Sequence, residues 1–439
     1  MISKLRLLAA LAAAASSILA AAPTAEAAPA PDPFFTYTGS APLSSIPLGT
    51  VLKTRDVVYH IAGIPTPVTA QQLLYRTNNA REEPVANVTS VIKSPASNGQ
   101  AISYQSAYDS LNPYDSPSRV IAGDRDISKV INFGSFIYSA ESVPLSALLL
   151  LGYNIIVPDT EGQTADFAAG PEYGMTTLDS VRAVLNTPST GLTPTSKVAL
   201  IGYSGGAIAT NWAAQLAPTY APDVNKQLVG AAEGGVLVDL AHNATYVNRS
   251  IVWGGVAPAA LAGLAKAYNI DLTPYLNSTG IAVFSDIQNQ SLAYILPKYL
   301  GLDWTTLLKP QYAKDINSIP AYVTYVNKVN AGLAGSPTIP MYISQGTAGI
   351  FNGTFSLSQI GDGVMLAGDT RTLVKKFCDS GTPVVYNEVP LEHAATAVTW
   401  VAGMLPWLYD RFADKPAPNN CWLAGLLQPR NSLAPETLH

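Results

Sequence analysis

One turn constrains the fold of this chain more than any other stretch: Gly202-Tyr203-Ser204-Gly205-Gly206. The apolar run Val198-Ala199-Leu200-Ile201 leads into it, and a small-residue segment from Ala207 to Leu216 leads out. A strand that passes through Gly-x-Ser-x-Gly into a helix holds its serine on a strained backbone at the sheet's edge. The glycines let strand and helix pass closely without a Cβ clash. The first N–H groups of the helix then face the serine. The pattern occurs once in the chain, so Ser204 is the predicted nucleophile and the rest of the sequence must supply its partners.

The first residues stand apart from the fold. Lys4 and Arg6 precede an apolar stretch from Leu7 to about Ala22, and Ala25-Glu26-Ala27 offers small residues for cleavage. Residues 1–27 therefore read as an export signal, too short for a stable membrane span. Residues 28–48, opening on Ala28-Pro29-Ala30-Pro31-Asp32-Pro33, read as an extended linker. The length left over fits one large catalytic domain carrying an insertion. Only 13% of residues are charged, and the formal charge of −5 disfavours nucleic acid or an anionic membrane as partner. The two cysteines, Cys378 and Cys421, read as a disulfide in an exported chain. With the four histidines scattered, no metal site is expected, and no cofactor either.

Strand-like and helix-like runs alternate. Thr89 to Ile92 and Ala101 to Gln105 read as opening antiparallel strands. Asn154 to Val157, Val198 to Ile201, Gln227 to Ala231, Pro340 to Ser344 and Val384 to Glu388 follow. Between them lie amphipathic stretches such as Gly174 to Leu185. This order predicts an α/β fold with a mostly parallel sheet between helices. Residues 236–335 break the rhythm and read mainly as helix (Pro258 to Tyr268, Ser291 to Leu300, Ile319 to Ala331). They form an expected cap between two core segments, 49–235 and 336–439.

A serine nucleophile needs a base. His439 is terminal, His60 precedes the core sheet, and His242 opens the cap, where a solvated surface role is expected. His393 follows the last predicted strand, where the chain order Ser…Asp…His places the base. The orienting acid lies between Ser204 and His393. Asp362 sits between two glycines in a loop, while Asp369 falls inside a predicted helix with an expected solvated face. Its task is to hold the imidazole tautomer. The backbone N–H of Gly205 supplies one oxyanion donor. For the second, the loop Val157-Pro158-Asp159-Thr160-Glu161-Gly162 offers Asp159, which on spacing alone serves equally well as a turn cap.

These pieces together resemble the secretory lipase family, which belongs to the α/β-hydrolases. The resemblance spans about residues 50 to 425. It rests on Gly152-Tyr153-Asn154 running into Pro158-Asp159-Thr160-Glu161-Gly162, on Gly174-Met175 with Leu178 to Ala183, and on the Ser204 elbow. Gly361-Asp362-Gly363-Val364-Met365 and Glu392-His393 complete it. One departure is the longer loop through Gly349, Phe351 and Phe355, where relatives often carry an acid soon after the strand. The resemblance implies a Ser204-Asp362-His393 triad and a part for Asp159 in the oxyanion hole. It also implies a helical cap and no metal. The expected function is a secreted carboxylic-ester hydrolase, a lipase for acylglycerols. The alternatives are a short-chain esterase for a secondary metabolite, a peptidase, or a catalytically dead binding module. The expected partner is a small-molecule or lipid ester, with transient lipid contact through the cap.

Overall fold

The computed structural model describes residues 31–61, 63–124, 133–356 and 358–439. The export signal expected over 1–27 lies outside them. Nine strands form one sheet in the order β1-β2-β3-β5-β4-β6-β7-β8-β9. They are β1 Val51–Ile61, β2 Ile64–Asn78, β3 Pro84–Ile92, β4 Ala101–Gln105, β5 Asn154–Pro158, β6 Val198–Tyr203, β7 Leu228–Gly234, β8 Met341–Gly346 and β9 Val384–Val389. β1, β2 and β3 are antiparallel, and β3 meets β5 antiparallel. From β5 through β4 to β9 every pair is parallel.

Two expectations change here. Ala101–Gln105 is no opening antiparallel strand: it lies at the centre, parallel to both β5 and β6. The pair β1 and β2 was not anticipated. β1 sets Lys53, Thr54, Arg55 and Asp56 in a row, and the first half of β2 is largely exposed, so their hydropathy hardly alternates. Segment 31–48 lies mostly extended but packs on β1, with Asp32 paired to Arg55 at 2.5 Å and Phe34 beneath the Arg55 guanidinium.

Strands β4, β5 and β6 are buried throughout except for the half-exposed Tyr203 at the end of β6, as parallel strands covered on both faces must be. On one face, Leu178, Val181, Ala209 and Ala213 from the helices Gly170–Leu185 and Gly205–Tyr220 join Leu200 and Ile156. On the other, Trp400, Met404 and Trp407 of the helix His393–Phe412 pack with Ile201 and Tyr342. Between β7 and β8 the chain leaves the sheet for the helices Leu240–Tyr246, Val256–Tyr268, Ser278–Ile287, Leu292–Lys298 and Pro320–Lys328. The Cys378–Cys421 disulfide joins the helix Ala367–Asp379 to the short helix Cys421–Leu426, with Cα atoms 5.6 Å apart. None of the helices among the described residues is long and apolar enough to cross a membrane.

Candidate active site

In open parallel sheets, sites form beyond the carboxyl ends of the strands where connections diverge. Here β4 is that strand, with β5 on one side and β6 on the other. Ser204 follows β6 and caps the helix Gly205–Tyr220 with φ 56° and ψ −121°, a backbone rarely held by a non-glycine residue. The turn closes only because its neighbours lack side chains. A Cβ on Gly202 would stand 2.3 Å from the Gly206 carbonyl, and one on Gly206 would stand 2.1 Å from that of Gln105.

His393 begins the helix that follows β9, and Glu392 caps it by accepting the N–H groups of Ala394 and Ala395. Its Nε2 lies 2.7 Å from Ser204 Oγ, and its Nδ1 lies 2.7 Å from Asp362 Oδ2. Asp362 is fully buried. Its other oxygen accepts the backbone N–H groups of Val364 at 3.0 Å and Met365 at 2.7 Å. Burial alone would depress the His393 pKa, but the Asp362 charge and hydrogen bond outweigh it and raise the pKa above the ordinary value. Tyr203 donates to the His393 carbonyl at 2.6 Å, and the Trp253 ring stands edge-on to the imidazole.

Asp369 is buried rather than solvated: it pairs with His242 Nδ1 at 3.0 Å and accepts from Asn431 at 2.6 Å. His242, expected at the surface, is thus tied to the core. That pair lies apart from Ser204, as do His60 on β1 and His439, which is paired with Asp315.

Asp159 also lies away from Ser204. Its backbone N–H donates to Val88, and its carboxylate accepts the N–H and hydroxyl of Ser118 at 2.9 and 2.5 Å. Both groups are occupied by the sheet and the neighbouring loop, and neither reaches Ser204. Asp109, absent from the sequence reading, is the carboxylate that stands beside Gly205. A Cβ on Gly205 would come within 1.6 Å of its Oδ1. Burial, reinforced by the charge of Glu141, pushes the Asp109 carboxyl up to about 7. Two glutamates, Glu161 buried and Glu141 half-buried, hold its loop from either side. Glu141 accepts from Ser106 Oγ at 2.5 Å and the Ala107 N–H at 3.0 Å. Glu161 accepts the Ser110 N–H at 3.2 Å. The loop is also joined to the inserted helices, where the Leu292 N–H donates to the Asp109 carbonyl.

Ser204, Gly205 and Asp109 open onto a cavity. Its walls are mainly apolar: Leu240, Val256 and Ala260 from the inserted helices, and Phe167, Ile208 and Met365 from the core. Such walls suit an alkyl chain. Among the described residues no cluster of three or more His, Cys, Asp or Glu could hold a metal ion.

A probable inactive lipase of Mycobacterium tuberculosis (strain CDC 1551 / Oshkosh) is 32% identical over 88% of this chain and 83% of its own. The trichothecene C-3 esterase of Fusarium sporotrichioides is also 32% identical, over 88% and 84%. Among solved structures, Candida antarctica lipase A in its closed state matches with a TM-score of 0.74 and 26% identity, over 88% of each chain. The model of the family described as secretory lipase matches residues 129–420, and the chain belongs to that lipase and esterase family.

Proposed function

We propose that this protein is a secreted carboxylic-ester hydrolase acting on acylglycerols, with Ser204, His393 and Asp362 as its triad. The observation that carries the reading is the unbroken run of 2.7 Å contacts from Asp362 through His393 to Ser204, ending at an apolar cavity. Ser204 Oγ attacks the ester carbonyl while His393 Nε2 takes its proton. The charge that develops on the carbonyl oxygen meets the Gly205 N–H and the Asp109 loop, at the positive end of a helix. His393 then protonates the departing alcohol. Water, activated by the same imidazole, releases the acid from the serine. Residues 236–335 act as the cap that houses the acyl chain, between core segments 49–235 and 336–439. Residues 1–27 direct export.

A second reading, an esterase for a small natural product, is favoured by the likeness to the trichothecene C-3 esterase. A series of p-nitrophenyl esters separates them. Rates that rise from acetate toward longer chains, and vanish in Ser204→Ala, support the lipase. A preference for acetate moves the conclusion to the second reading. Absence of any Ser204-dependent hydrolysis refutes both.

A further inference from the structure

The loop between β8 and Asp362 is unusual in composition and in what it exposes. From Val329 to Gly361 the sequence contains no Asp, Glu, Lys, Arg or His. Yet Phe351 is 78% exposed and Phe355 72%, and Ile350 and Ile360 stand out beside them. The inserted segment brings Ile251, also exposed, against this loop: the Ile251 N–H donates to the Gly353 carbonyl at 3.1 Å. Leu300, a further exposed side chain, precedes Gly301, whose N–H bonds to the Ile251 carbonyl. Six large apolar side chains thus share one surface. Exposed patches of this kind mark a binding surface.

We propose that this uncharged surface docks the protein onto a neutral lipid–water interface. The inference rests on the ester-hydrolase reading above for its choice of lipid. Three observations select that occupant. The loop is continuous with the catalytic cavity: Trp253 Nε1 donates to Asn352 Oδ1 at 3.3 Å, while its ring lines the cavity against His393. Trp253 therefore links the exposed loop to the wall of the cavity that Ser204 faces. The loop's polar groups are also paired inward. The Gly349 N–H bonds to Gly361, and Thr354 Oγ1 bonds to the Gly363 carbonyl at 2.6 Å and to Ser250 at 2.6 Å. Immersing the loop then strands few polar groups and orders little chain. Finally, Arg249 and Lys298, each two residues from a side chain of the patch, are neutralised by Asp303 at 2.5 Å and Asp286 at 2.8 Å. With a net charge of −5 in the chain, the match is to neutral rather than anionic lipid.

The test uses the mature protein as Ser204→Ala, so that lipid is not consumed, and measures adsorption to triolein droplets at low and high salt. The Phe351→Ser/Phe355→Ser pair is expected to bind about 100-fold more weakly, tenfold per ring, which is about 1.4 kcal/mol each. Binding by the parent is expected to survive high salt, since no charge carries it. In the Ser204 background, the same pair should hydrolyse p-nitrophenyl butyrate within about twofold of the wild type. Phe351→Asp alone should reproduce the loss, and Trp422→Ser, an exposed ring elsewhere, should not. Unchanged droplet binding in the pair overturns the proposal, as does equal loss in Trp422→Ser. So does a patch that proves to hold two copies of the chain together without affecting adsorption. If the wild type hydrolyses no soluble ester, the catalytic reading fails, and droplet binding still decides the docking surface by itself.

Discussion

Changing one carboxylate oxygen of Asp362 to an amide nitrogen tests the triad most sharply. Oδ1 accepts two buried N–H groups, at 3.0 and 2.7 Å, while Oδ2 faces His393 Nδ1 at 2.7 Å. In Asp362→Asn the two backbone donors demand the oxygen. Turning the NH2 toward them would strand two donors at about 1–3 kcal/mol each. The NH2 is therefore held against Nδ1, which must become the unprotonated nitrogen. Nε2 then carries the ring proton and cannot accept one from Ser204. Reversing this arrangement costs about 2–6 kcal/mol, which corresponds to a loss of roughly 30- to 10⁴-fold in rate. The upper end matches the cost of the same change in the serine-triad template. Hydrolysis of p-nitrophenyl butyrate, with melting curves to verify folding, measures it. Asp369→Asn serves as the matched control, because that carboxylate meets His242 instead. A folded Asp362→Asn within tenfold of wild type refutes the tautomer argument, and an equal loss in Asp369→Asn refutes the assignment.

Two further outcomes are expected. Gly205→Ala should cost at least about 100-fold in kcat, the scale of a lost oxyanion donor, because its Cβ would displace Asp109 from 1.6 Å away. Near-normal turnover would remove Asp109 from the site. The His242–Asp369 pair should make stability depend on pH. The Asp369 hydrogen bond outweighs burial and raises the His242 pKa to about 9, above the unfolded value of about 6.5. Its stabilisation is therefore complete below about pH 6.5 and is lost as pH rises through 9. The side chain is 27% exposed, so the contribution is about 1–2 kcal/mol. The melting-temperature gap between wild type and Asp369→Asn should be open at pH 6 and closed near pH 10, and a constant gap would contradict it.

The three side chains that meet in the 2.7 Å run were legible because each is announced by its local sequence. Ser204 stands between glycines, Asp362 in a glycine-flanked loop, and His393 at the start of a helix capped by Glu392. Asp109 carries no such sign. Nothing in Ala107-Tyr108-Asp109-Ser110 differs from an ordinary loop. What brings it to Gly205 is the direction of β4, which runs parallel to β6 and so ends beside Ser204. Hydropathy reports burial but not strand direction. An antiparallel β4 would end away from the nucleophile, whereas the loop after β5 offers an acid, Asp159, on spacing alone. Asp159 fitted that loop by spacing, but its contacts are with Ser118 and Val88. The useful sign was present in Gln105: an uninterrupted buried strand followed within four residues by an acid. The His242–Asp369 pair was hidden for a related reason, since it joins the inserted segment to a core helix 127 residues later.

Family membership does not decide activity, since a probable inactive lipase stands among the relatives. The distribution of unfavourable features bears on it more directly. Ser204 keeps a backbone at φ 56° that costs about 1–3 kcal/mol. At the adjoining loop, Asp109 and Glu161 are buried and Glu141 half-buried, each pushed upward by desolvation. None of these adds to the stability of the sheet, and a buried carboxyl in an apolar site normally weakens a fold. Their one shared property is position: Glu141 and Glu161 hold the loop that sets Asp109 against Gly205, beside the strained serine. A fold kept only as a binding module would gain stability by relaxing Ser204 or by replacing these acids with apolar side chains. Strain and buried charge gathered around one hydroxyl are what preorganised transition-state stabilisation requires, and on that ground the arrangement supports a working hydrolase over an inert one.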